Sequence, residues 1–282
     1  MLRPVAVSTL MFAFAGCQSG GTSPRHDAVT AGIPGTDTPA VEIELHPYFR
    51  WLRMVEGVVG DRTLTLLLDT GGGSTLVTPS VASGLGCRPY GRDVGHRMSG
   101  EPVEFQRCDA LDLAIGGWHR SFAPVAVFDV NALLPPELPR LDGVLALDAF
   151  RGRVITIDWS RSRLVVHSSL TANAAIRSSG VPLRAATGMA GNGLSVFLPA
   201  SGTRGPVWLL LDSGNIRGTL VAEHILRDSL LATDVPATVA LSIGTRPPVR
   251  MPFEPVDLVI DGALGTDFLD GGPVTLDLRD SR

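Results

Sequence analysis

Two short segments hold the residue types from which hydrolysis without a covalent nucleophile can be built. Leu66-Leu67-Leu68 leads into Asp69-Thr70-Gly71, and Leu209-Leu210-Leu211 leads into Asp212-Ser213-Gly214. An apolar run sets the following carboxylate at the margin of a core, where losing water favours its neutral form, and glycine lets the backbone turn back toward it. If two such loops face each other, Asp69 and Asp212 come within reach of one shared proton, because two like charges in one desolvated site do not both form easily. One carboxylate then acts as base toward a water and the other as acid toward a carbonyl oxygen. Taken singly, each would read as an ordinary turn aspartate.

What brings the two loops into one argument is an internal repeat. The Asp-(Thr/Ser)-Gly turns lie 143 positions apart. Downstream, Leu141-Asp142-Gly143-Val144-Leu145 matches Ile260-Asp261-Gly262-Ala263-Leu264, and Val154-Ile155-Thr156-Ile157-Asp158 matches Pro273-Val274-Thr275-Leu276-Asp277, both at an offset of 119. Three matches in the same order mark a duplication whose second copy is 24 residues shorter between its first two signals. Asp142, Asp148, Asp261 and Asp267 are paired by the repeat as well, and turn and cap duty around the glycines is the economical reading for them.

The elements that must position these residues read as strands. Arg62 to Leu68 alternates and then becomes continuously apolar, and Val207 to Leu211 behaves alike. Further strands are expected at Asp112 to Ile115, Ala123 to Phe128, Arg163 to His167, Leu194 to Leu198 and Thr238 to Ile243. Helical signals are short: a turn or two at Pro79 to Leu85, and an amphipathic stretch at Val221 to Leu231. The 32 Gly and 21 Pro, nearly a fifth of 282 residues, favour many strands joined by turns and exclude an all-α protein.

The paired Asp-(Thr/Ser)-Gly turns, each followed by an Asp-Gly-apolar-Leu signal, resemble the aspartic peptidases, in particular a retropepsin-like enzyme fused into one two-lobed, pepsin-like chain. The resemblance runs from about Glu42 to the end. It implies an all-β, bilobal acid-protease fold with related barrel-like lobes and a cleft between them. It implies Asp69 and Asp212 as the catalytic pair of an endopeptidase, supported by Thr70, Gly71, Ser213 and Gly214, with Thr70 and Ser213 cross-linking the loops. No cofactor is expected. A glycine-bearing hairpin closing over the peptide falls at Arg92 to Phe105, with Gly95, His96, Met98, Ser99 and Gly100 at its end. The residue after each Asp-(Thr/Ser)-Gly departs from the family, in which a Ser, Thr or Ala is common: Gly72 offers only its backbone, and Asn215 offers an amide toward its carboxylate. The flap holds no Tyr, although Tyr90 lies just before it.

Expected boundaries are an export signal at 1–16, a tether at 17–40, a first lobe at 41–167, a linker at 168–180 and a second lobe at 181–282. Val5 to Gly16 is too short to span a bilayer. Two processing readings compete: Ala13-Phe14-Ala15 suits an ordinary signal peptidase, while Phe14-Ala15-Gly16-Cys17 resembles a bacterial lipobox that would lipidate Cys17. The second is preferred, since it leaves Cys87 and Cys108 as an even pair. Those two flank the flap, either joined as a disulfide or present as separate thiols. The expectation is therefore an exported, lipid-anchored monomer in the cell envelope, on its periplasmic side or at the cell surface, touching the membrane through that anchor only and acting on peptides or unfolded protein. All 24 basic residues are Arg, which excludes lysine-based chemistry, and no basic stripe suggests nucleic acid. The six histidines lack metal-ligand spacing, so no metal is expected, and Ser74 lies in no G-x-S-x-G signature.

Overall fold

The computed structural model describes residues 40–168, 180–188, 192–202, 204–228, 233–234, 238–241 and 249–279. The residues expected as export signal, Cys17, nearly all of those expected as tether and most of the expected 168–180 linker lie outside them.

The described chain is all-β with a few short helical turns, and its two halves repeat one arrangement. In the first, Gly143–Leu145 is central, parallel to Arg62–Leu68 on one side and antiparallel to Leu76–Val77 on the other. In the second, Gly262–Leu264 takes that place between Gly205–Leu211 and Leu220–Ala222. An outer strand then pairs in parallel with one flank of each half, Val125–Val127 in the first and Glu254–Val256 in the second. Gly143 and Gly262 are glycine because neighbouring backbone leaves no room: a Cβ would lie 2.1 Å from the Leu76 carbonyl oxygen and 2.4 Å from that of Leu220.

Arg62–Leu68 is apolar at its end because both of its faces are covered. Leu64, Leu66 and Leu68 enter one large cluster, while Leu67 points the other way into a smaller one with Leu76, Val103 and Val144. The large cluster also contains Leu209, Leu211, Leu220 and Leu264, so the halves share a continuous core. Each fully buried leucine contributes about 2 kcal/mol of transfer free energy, which makes these strands rigid supports for the Asp loops at their ends.

A four-stranded sheet joins the halves, in the order Val41–Glu44, Arg163–Val166, Val154–Asp158, Val274–Asp277. Its last two strands are the third repeat match, antiparallel with Thr156 opposite Thr275. Equivalent residues face each other there, so the two-fold relation between the halves passes through that pair.

The structure corrects two expected elements. Val221 belongs to the strand Leu220–Ala222, and among the described residues the helix begins at Glu223 and occupies Glu223–Arg227, because Val221 is taken into the sheet opposite Gly262. The strand expected at Leu194 to Leu198 extends over Ser195–Gly202 as the long hairpin partner of Gly205–Leu211. Residues 229–231 of the stretch expected at Val221 to Leu231 and 242–243 of the strand expected at Thr238 to Ile243 lie outside the described residues.

Candidate active site

The two apolar strands end at the same place. Asp69 and Asp212 are both fully buried, and each backbone N–H donates to the central strand of its own half, Asp69 to the Leu145 carbonyl at 3.0 Å and Asp212 to that of Leu264 at 2.9 Å. The Gly71 N–H donates to Asp69 Oδ1 and the Gly214 N–H to Asp212 Oδ1, both at 3.0 Å. Each loop therefore orients its own carboxylate.

Four hydrogen bonds lock the loops together. The Thr70 hydroxyl donates to the Leu211 carbonyl at 2.9 Å and accepts the Ser213 N–H at 2.9 Å. The Ser213 hydroxyl donates to the Leu68 carbonyl at 2.8 Å and accepts the Thr70 N–H at 3.0 Å. Each hydroxyl spends its donor and an acceptor position on the opposite half, in a buried setting where an unmade bond is expensive.

The glycines make the close approach possible. A Cβ on Gly214 would lie 2.5 Å from Asp69 Cγ, and one on Gly71 would lie 2.5 Å from Asp212 Cγ. Each carboxyl thus occupies the side-chain space of the other loop's glycine.

The electrostatics arise from that crowding. Burial pushes the Asp69 carboxyl up to about 6, against the opposing pull of a hydrogen bond with Asp212 and of the Gly71, Gly72 and Gly214 N–H groups. Asp212 is raised well above the usual carboxylate range, first by burial and then by the charge of Asp69. The pair therefore holds one proton over a range of pH, with Asp69 ionised first and Asp212 kept as the acid. Asp69 Oδ2 and Asp212 Oδ2 are buried without a donor from any other described residue.

Asn215 does not play the part its position suggested. Its amide nitrogen donates to the Gly218 carbonyl at 2.7 Å, and its oxygen accepts the Arg217 N–H at 2.8 Å, so the side chain closes its own turn. Gly72 has no hydroxyl. The two departures from the family pattern thus leave both outer oxygens without the usual donor.

The four repeat-paired aspartates brace the strands and loops, where turn and cap duty was expected. Asp142 accepts the Thr65 N–H, and Asp261 accepts the Trp208 N–H, both at 2.9 Å. Asp148 accepts from the N–H and hydroxyl of Thr75, and Asp267 from the same groups of Thr219. The Thr partners went unnoticed in the sequence, although Thr75 and Thr219 sit 144 positions apart and continue the repeat.

The expected flap is a hairpin of Tyr90–His96 with Pro102–Cys108. Its Val103 packs with Leu67 and Val144 from the strands behind the Asp loops, and Ile216 of the second loop packs against the same cluster. At the tip, Met98 is buried, Ser99 is exposed and Gly100 has a φ of +85°. The Met98 carbonyl accepts the Val259 N–H of the second half at 2.8 Å. Gly95 is buried and His96 half-buried on the incoming strand. Cys87 and Cys108 are joined as a disulfide that fastens the hairpin's base to the segment after the helix Pro79–Gly84. No cluster of His, Cys, Asp or Glu among the described residues is arranged to hold a metal.

Fold and site together define the class: this is the bilobal acid-protease fold, with one Asp-(Thr/Ser)-Gly loop contributed by each half. Residues 55–149 match the family model described as aspartyl protease, a span from within the strand Arg53–Val59 to the helical turn Leu147–Phe150. No curated protein matches the sequence. Among solved structures, conglutin gamma, a basic 7S globulin from lupine seeds, aligns with a TM-score of 0.52 at 11% identity, covering 86% of this chain and 94% of that one. Basic 7S globulin from soybean aligns with a TM-score of 0.49 at 10% identity, covering 85% and 92%.

Proposed function

We propose that this chain is an aspartic endopeptidase. The observation that carries the reading is the pair of fully buried carboxyls, each seated in the space of the opposite loop's glycine. Asp69, as carboxylate, takes a proton from water while the water oxygen bonds to the peptide carbonyl carbon. Asp212 gives its proton to the carbonyl oxygen, leaving a neutral tetrahedral diol. Asp69 then passes its proton to the amide nitrogen, the C–N bond breaks, and a hydroxyl proton of the diol returns to Asp212 as the new carboxylic acid forms. The cycle ends with one proton on the pair, as it began.

The substrates are peptides or unfolded protein, and because one chain supplies both carboxylates, the enzyme works as a monomer. Residues 1–16 act as the export signal and Cys17 carries the lipid, so that residues 17–40 tether the enzyme in the cell envelope. Labelling with a radioactive fatty acid, with Cys17→Ser as control, tests the anchor: incorporation that survives the substitution removes it.

A second reading, a cell-envelope protein that binds peptides without turnover, draws on the flap tip being tied across to the second half. Incubation of the purified chain with a peptide library, with and without a transition-state inhibitor of aspartic peptidases, separates the two. Inhibitor-sensitive cleavage supports the endopeptidase, whereas binding without cleavage from about pH 3 to 8 supports the binding protein.

A further inference from the structure

Away from the Asp loops, a cavity of about 490 Å³ opens beside the disulfide of the first half. Cys87 and Cys108 both line it, and Leu85 and Val125 give it apolar walls. Arg88 and Asp109, each the residue after a cysteine, bring one positive and one negative charge to the lining. Neither has an ion-pair partner among the described residues, and the neighbour of the Asp109 carboxylate is the uncharged Tyr90 hydroxyl. We infer that this cavity is a thiol-exchange site: it admits a small amino-acid thiol, bearing both a carboxylate and an ammonium group, which opens the disulfide and stays on Cys87 as a mixed disulfide. The inference goes beyond the endopeptidase reading and stands without it.

The two sulfurs are unequal. Cys108 is buried, whereas Cys87 is half-buried between Gly86 and Arg88, which also line the cavity, and a Cβ at Gly86 would meet nothing within 4 Å. Exchange proceeds by attack of a thiolate on the sulfur it can reach, so Cys87 takes the attack and Cys108 leaves. An S–S bond forms between the entering sulfur and Cys87 Sγ as the Cys87–Cys108 bond breaks, and its electron pair departs on Cys108 Sγ. The proton given up by the entering thiol returns through water to Cys108. Arg88 offers a partner to the carboxylate and Asp109 to the ammonium group, contacts that an uncharged thiol cannot make. The consequence reaches the flap, because Cys108 ends the return strand of the hairpin, opposite Val125, and Cys87 follows the helix Pro79–Gly84. Opening their bond frees the hairpin at its base while its tip keeps the contact with Val259.

The test is incubation of the Cys17→Ser chain, whose remaining sulfurs able to exchange are the disulfide pair, with cysteine or with uncharged 2-mercaptoethanol. Thiols set free are trapped with iodoacetamide, and the adduct is located by peptide mass mapping. Cysteine should be found on Cys87, with Cys108 alkylated. Arg88→Gln and Asp109→Asn should each slow the cysteine reaction at least about threefold more than the 2-mercaptoethanol reaction, the order of magnitude of one exposed ion pair. Amide exchange in the strand ending at Cys108 should rise in the trapped adduct. No adduct, an adduct on Cys108, or equal slowing of the two thiols overturns the site, and unchanged amide exchange overturns its link to the hairpin. None of these readouts depends on peptide cleavage.

Discussion

The Asp69 carboxyl carbon lies 2.5 Å from where a Cβ on Gly214 would stand, and the Asp212 carboxyl stands in the same relation to Gly71. Gly214→Ala must therefore displace Asp69, because the whole carboxyl group is in the way. Misplacing a reacting group by about 1 Å costs on the order of 100-fold. Peptide cleavage by Gly214→Ala should fall by at least that factor, with the circular dichroism of the fold retained; full activity would mean that the crowded approach is not required.

The cross-linking hydroxyls should separate chemistry of position from mere polarity. Thr70→Val removes a donor to the Leu211 carbonyl and an acceptor for the Ser213 N–H, stranding two buried groups. A loss of about 2–4 kcal/mol in unfolding free energy is expected, with Thr70→Ser recovering most of it. Denaturant titration of the three chains measures this.

The pH dependence has a definite sign. The working form holds one proton on the pair, so the rate should rise as Asp69 ionises near pH 6 and decline only where Asp212 ionises, well above the ordinary carboxylate range. Stability runs the other way. A carboxyl whose folded pKa is raised binds its proton more tightly in the folded state, so its contribution is full below about pH 4 and is lost as pH rises through about 6. Asp69→Asn should accordingly be inactive yet melt above the unsubstituted chain at pH 7, with the difference shrinking toward pH 4. A larger difference at pH 4 would contradict the burial argument.

Gly72 offers a way to move that profile. Its Cβ position lies 3.0 Å from Asp69 Oδ2, the oxygen that lacks a donor. Gly72→Ser places a hydroxyl beside it and should shift the rising limb of the rate profile to lower pH, by favouring the carboxylate. Gly72→Ala, whose Cβ meets the same oxygen at 3.0 Å but brings no donor, should not move the limb to lower pH.

The flap tip can be loosened without touching the Asp loops. Gly100 sits at a φ of +85°, and a Cβ there would lie 2.9 Å from Val259 Cγ1. Gly100→Ala should weaken the Met98–Val259 contact, speed amide exchange in the hairpin and raise KM more than it lowers kcat. Unchanged exchange at the tip would mean that this contact does not hold the flap.

Much of the fold and site was legible because the decisive signals are local. A strand that turns wholly apolar before Asp-(Thr/Ser)-Gly announces a carboxylate at a core margin, and the repeat announces its partner. The offset of 119 even pointed to Thr156 and Thr275, although only the folded sheet sets them opposite each other. Asn215 was misread because an amide next to a carboxylate has a competing partner in its own turn, the Gly218 carbonyl, which sequence spacing does not reveal. The Val259 contact with the flap was invisible for a different reason: it joins an irregular loop to a hairpin tip 161 positions earlier, with no periodicity at either end.

The most direct test of the paired-carboxylate mechanism is cleavage of an unfolded protein by the purified chain against its Asp69→Asn and Asp212→Asn variants, each shown to be folded. Cleavage near neutral pH by the unsubstituted chain, with a loss of at least about 100-fold in both variants, is the expected result. Undiminished cleavage in either variant would contradict it.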